Sequence, residues 1–377
     1  MSYEQETEEA VAAFRTLLCE QLARTERMES AASPKEYTKN TPVRIGIIGG
    51  DGIGPRIVDA AERVLGRLLS EELSTGSVTL HRIEGLTIEN RLAKGETVPR
   101  EVMEEILTCD VLLKGPTTTP KGGKTESANV ALRRALDLYA NVRPVRLAAE
   151  GVEWTFFREN TEGEYVLGSR GIAIGDRLAM DFKVTTRAGT RRIARAAFTY
   201  AKENGKSRVA IVTKANIMKK TDGAFSAICH EVAEEFPGIT AEDYYVDIMS
   251  ANLVNPAVRK NFEVFLLPNL YGDILTDEAA ELQGGVGTAG SANLGDRYAM
   301  FEAIHGSAPR MIEEGLGDFA SPESILRATV MLLHHIARHA AAERLERALD
   351  AVPVHADGTR AGATTAEYTE ALFKLLR

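Results

Sequence analysis

Apolar and polar positions divide the chain into short apolar runs, each followed by a longer amphipathic stretch. The runs at 43–48 (VRIGII), 111–114 (VLLK) and 264–267 (VFLL) have the length of a strand, and Gly, Pro or Asn lies directly behind each of them. Runs of this kind are typical of parallel strands that are buried on both faces. Because helix-length stretches separate the runs, the pattern predicts an α/β fold.

The stretch after residue 267 carries three acids at four-residue spacing, Asp273, Asp277 and Glu281. In a helix this spacing places them on one face, where like charges repel by ~0.2–0.5 kcal/mol per pair. A divalent cation bound by these carboxylates would offset the repulsion. The alternative is an acidic helix start in which Asp273 caps the helix and interacts favourably with its dipole. The spacing leaves both interpretations open.

The N-terminal part of the chain predicts an amphipathic helix over residues 3–29. Val11, Phe14, Leu18 and Leu22 recur there at helical spacing, and such a stripe needs a surface to cover. We expect the stripe to pack against the rest of the protein or against another copy. Residues 30–41 have the composition of a linker, so residues 1–40 are predicted to form a helical extension.

A glycine-rich turn, GGDGIGP, follows the predicted strand 43–48. It does not match the dinucleotide fingerprint GxGxxG, because Pro55 stands at the position of the third glycine. The turn therefore does not predict a Rossmann domain. We expect its glycines to permit close backbone packing or a positive φ.

Residues 127–146, SANVALRRALDLYANVRPVR, begin with a predicted helix that has Ser127 as its N-cap. A helix N-terminus attracts anions, so Ser127 and Asn129 could bind a carboxylate, with Arg133 facing the same point. Arg143 after the helix and Arg158 at the end of the next strand add two guanidinium groups, which bind carboxylates bidentately. These five residues predict a site for a substrate with several carboxylates. The alternative for each arginine is a surface ion pair.

The middle of the chain predicts a hairpin and a further strand. Residues 171–186 alternate in the manner of exposed hairpin strands, and Thr190 marks the start of a helix that ends at Gly205. The run VAIVT is the next strand, with Lys214 at its carboxyl end. Because α/β folds place ligand-binding groups at the carboxyl ends of strands, Lys214 is a candidate functional residue.

The bulk composition narrows the range of functions. The 377 residues suffice for two domains, and the net charge of −9 argues against a nucleic-acid partner. No apolar run reaches the ~18–20 residues of a membrane span, and the Glu-rich N-terminus differs from a presequence. The cysteines Cys19, Cys109 and Cys229 are far apart and predict neither disulfides nor a zinc site. We therefore expect a cytoplasmic protein.

Seven motifs follow one another along the chain: GGDGIGP, SANVALRRALDLYANVRPVR, FRENTEGEY, VTKANIMKKTDG, LPNLYGDILTD, GGVGTAGSANLG and FEAIHGSAPR. In this order they resemble the motifs of the β-decarboxylating dehydrogenases, which include isocitrate, 3-isopropylmalate, homoisocitrate and tartrate dehydrogenases. The resemblance extends from Val43 to the C-terminus. It implies an α/β fold of the isocitrate/isopropylmalate dehydrogenase type, which is not a Rossmann fold.

The resemblance also implies a domain organisation. Residues 41–138 and 285–377 would form a large cofactor-binding domain. Residues 139–284 would form a smaller α/β domain with a clasp, and this domain would carry the dimer interface and the metal site. The resemblance implies a homodimer with shared active sites and leaves a larger oligomer open.

Functional roles are implied by matching residues to the family's motifs. Tyr165 matches the proton donor, and Lys214 matches the base that is contributed across the dimer. Asp273 and Asp277 match metal ligands on one subunit and Asp247 matches the ligand from the other, for Mg²⁺ or Mn²⁺. The implied substrate-binding residues are Ser127, Asn129, Arg133, Arg143 and Arg158.

The implied cofactor site combines several loops. Its residues are Thr118, Asn216, His305, Gly306, Ser307, Ala308, Pro309, Arg310, Met311 and Ser321. NAD-dependent members carry Asp where this chain has Arg310, and an arginine there could meet the 2′-phosphate of NADP. The C-terminal segment ADGTRAGATTAEYTEALF resembles the NAD-type members instead. We expect NAD, with NADP as the alternative; Ser321 and Arg56 also depart from the family's pattern.

The implied reaction is the oxidative decarboxylation of isocitrate, a small tricarboxylate, to 2-oxoglutarate and CO₂. The polar pair Ser127 and Asn129 suits a third carboxylate, whereas isopropylmalate enzymes have an apolar residue near this place. Homoisocitrate is one methylene longer, a difference of only ~1–3 kcal/mol, and stays an alternative together with 3-isopropylmalate. A non-catalytic regulatory subunit is disfavoured because Tyr165, Lys214 and the aspartates are present.

Overall fold

The computed structural model describes residues 3–29, 34–119, 126–168 and 170–376. Its α-helices are α1 (Tyr3–Glu29), α2 (Gly54–Leu68), α3 (Ser70–Thr75), α4 (Ile88–Lys94), α5 (Arg100–Ile106), α6 (Ala128–Ala135), α7 (Arg187–Glu203), α8 (Thr221–Ala233), α9 (Val246–Val254), α10 (Asn269–Gln283), α11 (Pro309–Glu313), α12 (Glu323–His335), α13 (His339–Asp350) and α14 (Thr365–Leu375). Its strands are β1 (Val43–Ile48), β2 (Val78–Arg82), β3 (Val111–Lys114), β4 (Ala140–Leu147), β5 (Val152–Glu159), β6 (Ile172–Ile174), β7 (Leu178–Met180), β8 (Arg208–Thr213), β9 (Thr240–Tyr245), β10 (Val264–Leu267), β11 (Gly290–Leu294) and β12 (Ala299–Ala303). None of the helices in these ranges has the length and apolarity that a membrane span requires.

The chain divides into two compact units. The described residues up to 33 and from 146 to 278 form the first unit, and those of 34–145 and 279–377 form the second. The divisions fall within β4 and within α10, whereas the sequence placed them at 138/139 and 284/285. Helix α1 of the expected extension is part of the first unit. Residues 30–33 of the expected linker and 120–125 of the polar loop lie outside the described ranges.

The second unit contains strands in the order β2-β1-β3-β12-β11-β4. Strand β1 pairs in parallel with β2 and β3, and β3 pairs in parallel with β12. Strand β11 runs antiparallel to both β12 and β4. The predicted bounds of β1 and β3 are confirmed residue for residue. The mixed strand directions and the order agree with the expected α/β fold that is not of the Rossmann type.

The first unit contains strands in the order β5-β10-β8-β9, all of them parallel. Strand β10 has the predicted bounds, and its four residues are buried. The rings of Phe156 and Phe265 stack at a centroid distance of 4.3 Å, and Trp154 packs edge-on against them. The predicted hairpin is also confirmed, as the antiparallel pair β6–β7. The carboxyl ends of β5 and β8 carry Arg158 and Lys214.

Two predicted helices have different bounds in the structure. Ser127 precedes α6 as expected, but α6 ends at Ala135, and residues 140–147 form strand β4. The helix stops because Asp137 adopts a positive φ of 49° and the Leu138 amide donates back to the Arg133 carbonyl. Helix α7 begins at Arg187, not at Thr190, because the Thr186 hydroxyl accepts a capping hydrogen bond from Gly189.

The predicted helix α1 is confirmed, and its buried apolar residue, Leu17, lies outside the predicted stripe. The stripe of Val11, Phe14, Leu18 and Leu22 is 44–58% exposed, whereas Leu17 is only 8% exposed. Leu17 packs against residues 166 and 167 of the first unit. Periodicity predicted the helix, but the apolar cluster that receives it selects the buried face.

Candidate active site

A buried ion network in the second unit surrounds Glu302. The Nζ of Lys114 lies 3.1 Å from Glu302 Oε2, and Arg133 Nη2 donates to Glu302 Oε1 at 2.9 Å. Asn293 donates to the same carboxylate at 2.8 Å. Burial would raise the pKa of Glu302, but the charges of Lys114 and Arg133 outweigh it and lower this pKa to about 2. Burial lowers the pKa of Lys114, yet the carboxylate beside it favours the charged ammonium.

This network holds one of the predicted substrate-binding residues. Arg133 is anchored through one guanidinium nitrogen, and its buried Nε has no hydrogen-bond partner among the described residues. A buried donor without a partner costs free energy that a bound anion would recover. Lys114 and Glu302 were not singled out from the sequence, although Lys114 ends a predicted strand. Glu302 stands in the FEAIHGSAPR motif and could have been found there.

The other predicted substrate-binding residues of the second unit lie on α6 and β4. Ser127 occupies the N-cap position of α6, but within the described residues its side chain makes no capping hydrogen bond. The Asn129 carbonyl oxygen accepts a hydrogen bond from Thr117 at 3.0 Å. Arg143 lies on β4 and is buried. The structure therefore brings polar groups together at the start of α6.

The glycine turn, the Thr118 loop and the His305 loop meet in the second unit. Asp51 accepts hydrogen bonds from the amides of Ile88 and Thr118, each at 2.7 Å. The hydroxyls of Thr118 and Ser307 are 2.7 Å apart. Gly52 has a φ of 61°, and a Cβ there would lie 2.0 Å from the Ser307 carbonyl oxygen. The expectation that these glycines serve close packing and positive φ is confirmed.

Two residues that the sequence analysis missed support the Thr118 loop. Asp51 is 5% exposed and Arg91 is fully buried. Arg91 donates to the carbonyl oxygens of Thr97, Thr118 and Glu126 at 2.8–3.2 Å. Burial lowers the pKa of Arg91, and the negative charge of Asp51 partly opposes this. Neither residue belongs to a periodic pattern, so only the position of Asp51 in the GGDGIGP motif could have indicated it.

The predicted adenosine loop leads into the short helix α11. His305 contacts the Gly306 carbonyl oxygen at 3.0 Å, and burial lowers the pKa of its imidazole. Ala308 adopts a positive φ of 46° directly before Pro309, and Met311 lies on α11. The Arg310 side chain is 86% exposed and pairs with Glu314 at 2.6 Å. The predicted cofactor residue Ser321 accepts a hydrogen bond from the Glu323 amide. Asn216, the predicted cofactor residue of the first unit, is exposed and follows β8 in the sequence.

In the first unit, Asp273 joins Arg158 and Tyr165. The Tyr165 hydroxyl donates to Asp273 at 2.8 Å, and Arg158 forms an ion pair with the same carboxylate. Arg158 is 1% exposed and also donates to Asn269 at 2.7 Å. A Cβ at position 272 would lie 2.5 Å from the Cγ of Arg158, so glycine is required where α10 passes this arginine. Three predicted site residues are thus brought into direct contact.

A second group of the first unit contains Lys214. Its Nζ donates to Asp247 at 2.6 Å, and this hydrogen bond lowers the pKa of Asp247. The Lys214 amide donates to the buried carboxylate of Asp222 at 2.7 Å, and Lys183 forms an ion pair with Asp222. Lys214 and Asp247 are both solvent-accessible, at 25% and 67% of their side chains. The backbone of Lys214 is therefore held by buried groups while its amine is free to exchange partners.

The acidic face of α10 begins inside the helix. Asp273 is the fifth residue of α10 and no acid occupies its first turn, so the capping alternative for Asp273 is wrong. Asp277 is exposed one turn further on. Within the part of the chain that the structure describes, no three His, Cys, Asp or Glu side chains are grouped around one possible metal position. Asp273 and Asp277 are nevertheless hard oxygen donors on one helix face, which fits Mg²⁺ or Mn²⁺.

Comparisons with known proteins bear on this site. The model of the isocitrate/isopropylmalate dehydrogenase family matches residues 44–372. Catalytic subunit 5 of the mitochondrial NAD isocitrate dehydrogenase of Arabidopsis thaliana is 38% identical over 352 residues, 89% of each chain. An NADP isocitrate dehydrogenase of Rickettsia bellii is 39% identical over 318 residues, 82% of this chain and 62% of that protein. The crystal structure of isocitrate dehydrogenase from Methylococcus capsulatus matches with a TM-score of 0.78 and 37% identity, covering 89% of this chain and 99% of that one.

Proposed function

The chain belongs to the isocitrate/isopropylmalate dehydrogenase family and is a dehydrogenase of the β-decarboxylating type, and from this premise we propose that it converts isocitrate to 2-oxoglutarate and CO₂ with reduction of NAD. The observation that carries the proposal is the contact of Tyr165 and Arg158 with one carboxylate, Asp273. This contact joins an acid, an anion-binding cation and an oxygen ligand in one cluster.

Substrate binding would use several guanidinium groups. Among the described residues, the buried Nε of Arg133 has no hydrogen-bond partner, and Arg133 lies near the start of α6, where Ser127 and Asn129 can hydrogen-bond a carboxylate. Arg143 on β4 and Arg158 on β5 are the other proposed substrate-binding residues. A substrate with three carboxylates makes use of more of these donors than the dicarboxylate 3-isopropylmalate, which favours isocitrate. Homoisocitrate stays an alternative because it carries the same charged groups.

Proton transfer is assigned to Lys214 and Tyr165. The Lys214 amine would accept the proton of the C2 hydroxyl, and the bound nicotinamide supplies the hydride acceptor. After CO₂ leaves, the Tyr165 hydroxyl would deliver a proton to C3. Tyr165 already directs this hydroxyl at Asp273, which orients the proton within the cluster.

The proposed metal ligands are Asp273 and Asp277 with Asp247 of the partner subunit. Their carboxylates are partly or fully exposed, so each can exchange its present hydrogen bonds for a cation. A bound Mg²⁺ or Mn²⁺ supplies positive charge beside the oxygens of the substrate. In the single chain, Arg158 already forms an ion pair with Asp273.

A homodimer is proposed because exposed apolar side chains lie on β9, α9 and α10, and α9 and α10 also carry the proposed metal ligands. Tyr245, Ile248, Val254 and Ile274 are 44–56% exposed, and a hydrogen bond between Ser250 and Glu278 joins the helices α9 and α10 that carry three of them. Large exposed apolar surface is typical of interaction sites. A partner on this surface would receive Lys214 and Asp247 into its own active site. We further propose a cytoplasmic location, on the composition described above.

The proposed cofactor-binding residues are Thr118, Asn216, Ser321 and the loop from His305 to Met311. NAD is proposed because Arg310 is already paired with Glu314, whose negative charge would repel a 2′-phosphate. NADP is the second candidate. The exposure of Arg310 favours NADP, and so does a second arginine close to α11. The Nη2 of Arg360 would lie 4.0 Å from a Cβ built at Gly315, two residues after α11 ends.

The test is an absorbance assay for reduced nicotinamide. Isocitrate, homoisocitrate, 3-isopropylmalate and tartrate are each offered with NAD and with NADP, in the presence of Mg²⁺ or Mn²⁺. We expect the highest kcat/KM for isocitrate with NAD, and loss of turnover in EDTA that added metal restores. Absence of turnover with every pairing would refute the proposal, and activity only after mixing with a partner chain would revive the regulatory-subunit alternative.

A further inference from the structure

Helix α1 contacts the turn that carries Tyr165 at two points. Arg24 Nη1 lies 3.0 Å from Glu162 Oε1, three residues before Tyr165. Leu17 packs against residues 166 and 167, directly after Tyr165. Both contacts are within the first unit. The proposed proton donor therefore lies between two points at which its chain segment is attached to the N-terminal helix.

The two contact residues are suited to act together. Leu17 and Arg24 are seven positions apart, which places them on the same face of a helix two turns apart. Leu17 is 8% exposed and the Arg24 side chain 14%, whereas the neighbouring apolar residues Leu18 and Leu22 are 48% and 58% exposed. The face of α1 that is most buried is thus the face that meets the Tyr165 turn.

The carboxylate that Arg24 meets is deeply buried. The Glu162 side chain is 3% exposed and accepts a hydrogen bond from the Thr186 amide at the start of α7, at 2.9 Å. A Cβ at position 189 would lie 2.3 Å from Glu162 Oε1, so the carboxylate fills space that only glycine leaves open. A buried carboxylate is costly unless a cation and hydrogen bonds compensate it. Arg24 provides such a charge and also donates to the Thr161 hydroxyl at 3.1 Å.

Glu159 is a second buried acid in this turn, and its negative charge also needs a compensating cation. Glu159 is 2% exposed and accepts hydrogen bonds from the amides of Thr161 and Glu162 at 2.9 and 2.7 Å. Burial, and then the charge of Glu162, raises the pKa of Glu159 to about 7. Two carboxylates close together in a turn repel when both are ionised. A cation brought by α1 lowers the cost of this arrangement and so stabilises one conformation of the turn.

We propose that α1 is a positioning element of the active site, which holds residues 159–168 through Arg24 and Leu17 so that the Tyr165 hydroxyl stays directed at Asp273. The inference rests on the proposed role of Tyr165 as proton donor. Arg24 touches neither substrate nor cofactor in this scheme and acts through Tyr165. Its loss should therefore slow proton delivery and leave substrate binding nearly unchanged.

The first experiment measures kcat and KM for full-length variants. Arg24→Ala and Leu17→Ala should each lower kcat by about tenfold, because small misplacements of a catalytic group have effects of this order or larger, with KM for isocitrate within about twofold. Arg24→Lys should recover part of the loss, since it restores the charge. The matched controls Arg15→Ala and Leu18→Ala, both at exposed positions of the same helix, should leave kcat and KM unchanged. Unchanged kcat in Arg24→Ala and Leu17→Ala, or equal losses in the controls, would overturn the proposal.

The second experiment is a double-mutant comparison with Tyr165→Phe. If Arg24 acts through Tyr165, Arg24→Ala should cost no further activity in the Tyr165→Phe background. Multiplying losses would mean that Arg24 acts by another route, and the proposal would be overturned. Full activity of Tyr165→Phe alone would instead refute the assignment of the proton donor.

Hydrogen exchange separates those two failures, because it does not depend on the chemistry. Arg24→Ala should speed amide exchange in peptides covering residues 159–168 and leave those of strand β8 unchanged. Unchanged exchange in the turn would overturn the positioning role even if Tyr165 is the donor. A urea unfolding curve for each variant would establish that the folded protein is being compared.

Discussion

The two units support their functional residues in different ways. In the second unit, Arg133 forms an ion pair with Glu302. Lys114 pairs with the same carboxylate and is completely buried. In the first unit, Lys214 and Asp247 form a pair that is 25% and 67% exposed. A buried ion network resists rearrangement because each partner would be left uncompensated, whereas an exposed pair contributes little and exchanges easily. We therefore expect the ion network around Arg133 to resist rearrangement, whereas the proposed base is free to leave Asp247.

The largest effect that tests this contrast is expected at Glu302. Glu302→Gln leaves Lys114 and Arg133 buried without their shared carboxylate, and we expect unfolding free energy to fall by about 3–5 kcal/mol. Urea unfolding curves measure it. The matched control is Glu370→Gln, since Glu370 pairs with Arg63 at the surface, both being more than half exposed, and should cost no more than ~1 kcal/mol. Equal costs for the two variants would contradict the contrast.

The second-largest effect is expected in the pH dependence of the unfolding free energy. The pKa of Glu302 in the folded protein is about 2, below the ordinary value of 4.5. A lowered pKa means that the ionised carboxylate stabilises the fold above pH 4.5 and that this contribution is lost as the pH falls towards 2. Between pH 5 and 3, unfolding free energy should therefore fall more steeply in the wild type than in Glu302→Gln. Parallel pH profiles would show that Glu302 does not titrate in this range.

A smaller change in free energy is expected at the exposed pair, but with a large effect on rate. Lys214→Met should lower kcat by about a hundredfold or more, the usual contribution of a general base, while the unfolding free energy changes by less than ~0.5 kcal/mol. Steady-state kinetics and urea unfolding measure the two quantities. Lys219→Met, an exposed lysine of the same turn, is the control and should retain full turnover. Full turnover in Lys214→Met would mean that another group is the base.

The smallest effect is expected at Arg310, which is 86% exposed. If Arg310 can meet a 2′-phosphate, Arg310→Ala should lower kcat/KM for NADP by at most about fivefold, since exposed ion pairs contribute at most ~1 kcal/mol. The kcat/KM for NAD in the same variant serves as the internal control and should stay unchanged. A matched loss with both cofactors would indicate a general disturbance of the loop.

Sequence patterns predicted the elements of the two units better than their contacts. Strands β1, β3 and β10 have the predicted bounds because buried parallel strands are marked by uninterrupted apolar runs. Helix α6 was not distinguished from β4, because the residues between them carry no Gly or Pro to mark the end. The apolar stripe on α1 did not include the buried Leu17, since a helical pattern alone does not specify which side meets a neighbour.

Local order along the chain was enough to establish the α/β class, the mismatch between the glycine turn after β1 and the dinucleotide fingerprint, and the motifs that identify the family. These properties depend on residues within a few turns of one another, where periodicity and steric preference act directly. The ion pairs that hold the functional side chains join residues far apart in sequence, 169 positions for Arg133 and Glu302 and 138 for Arg24 and Glu162. Packing alone brings such partners together, because burial creates the demand for a compensating charge and only the folded chain decides which residue meets it.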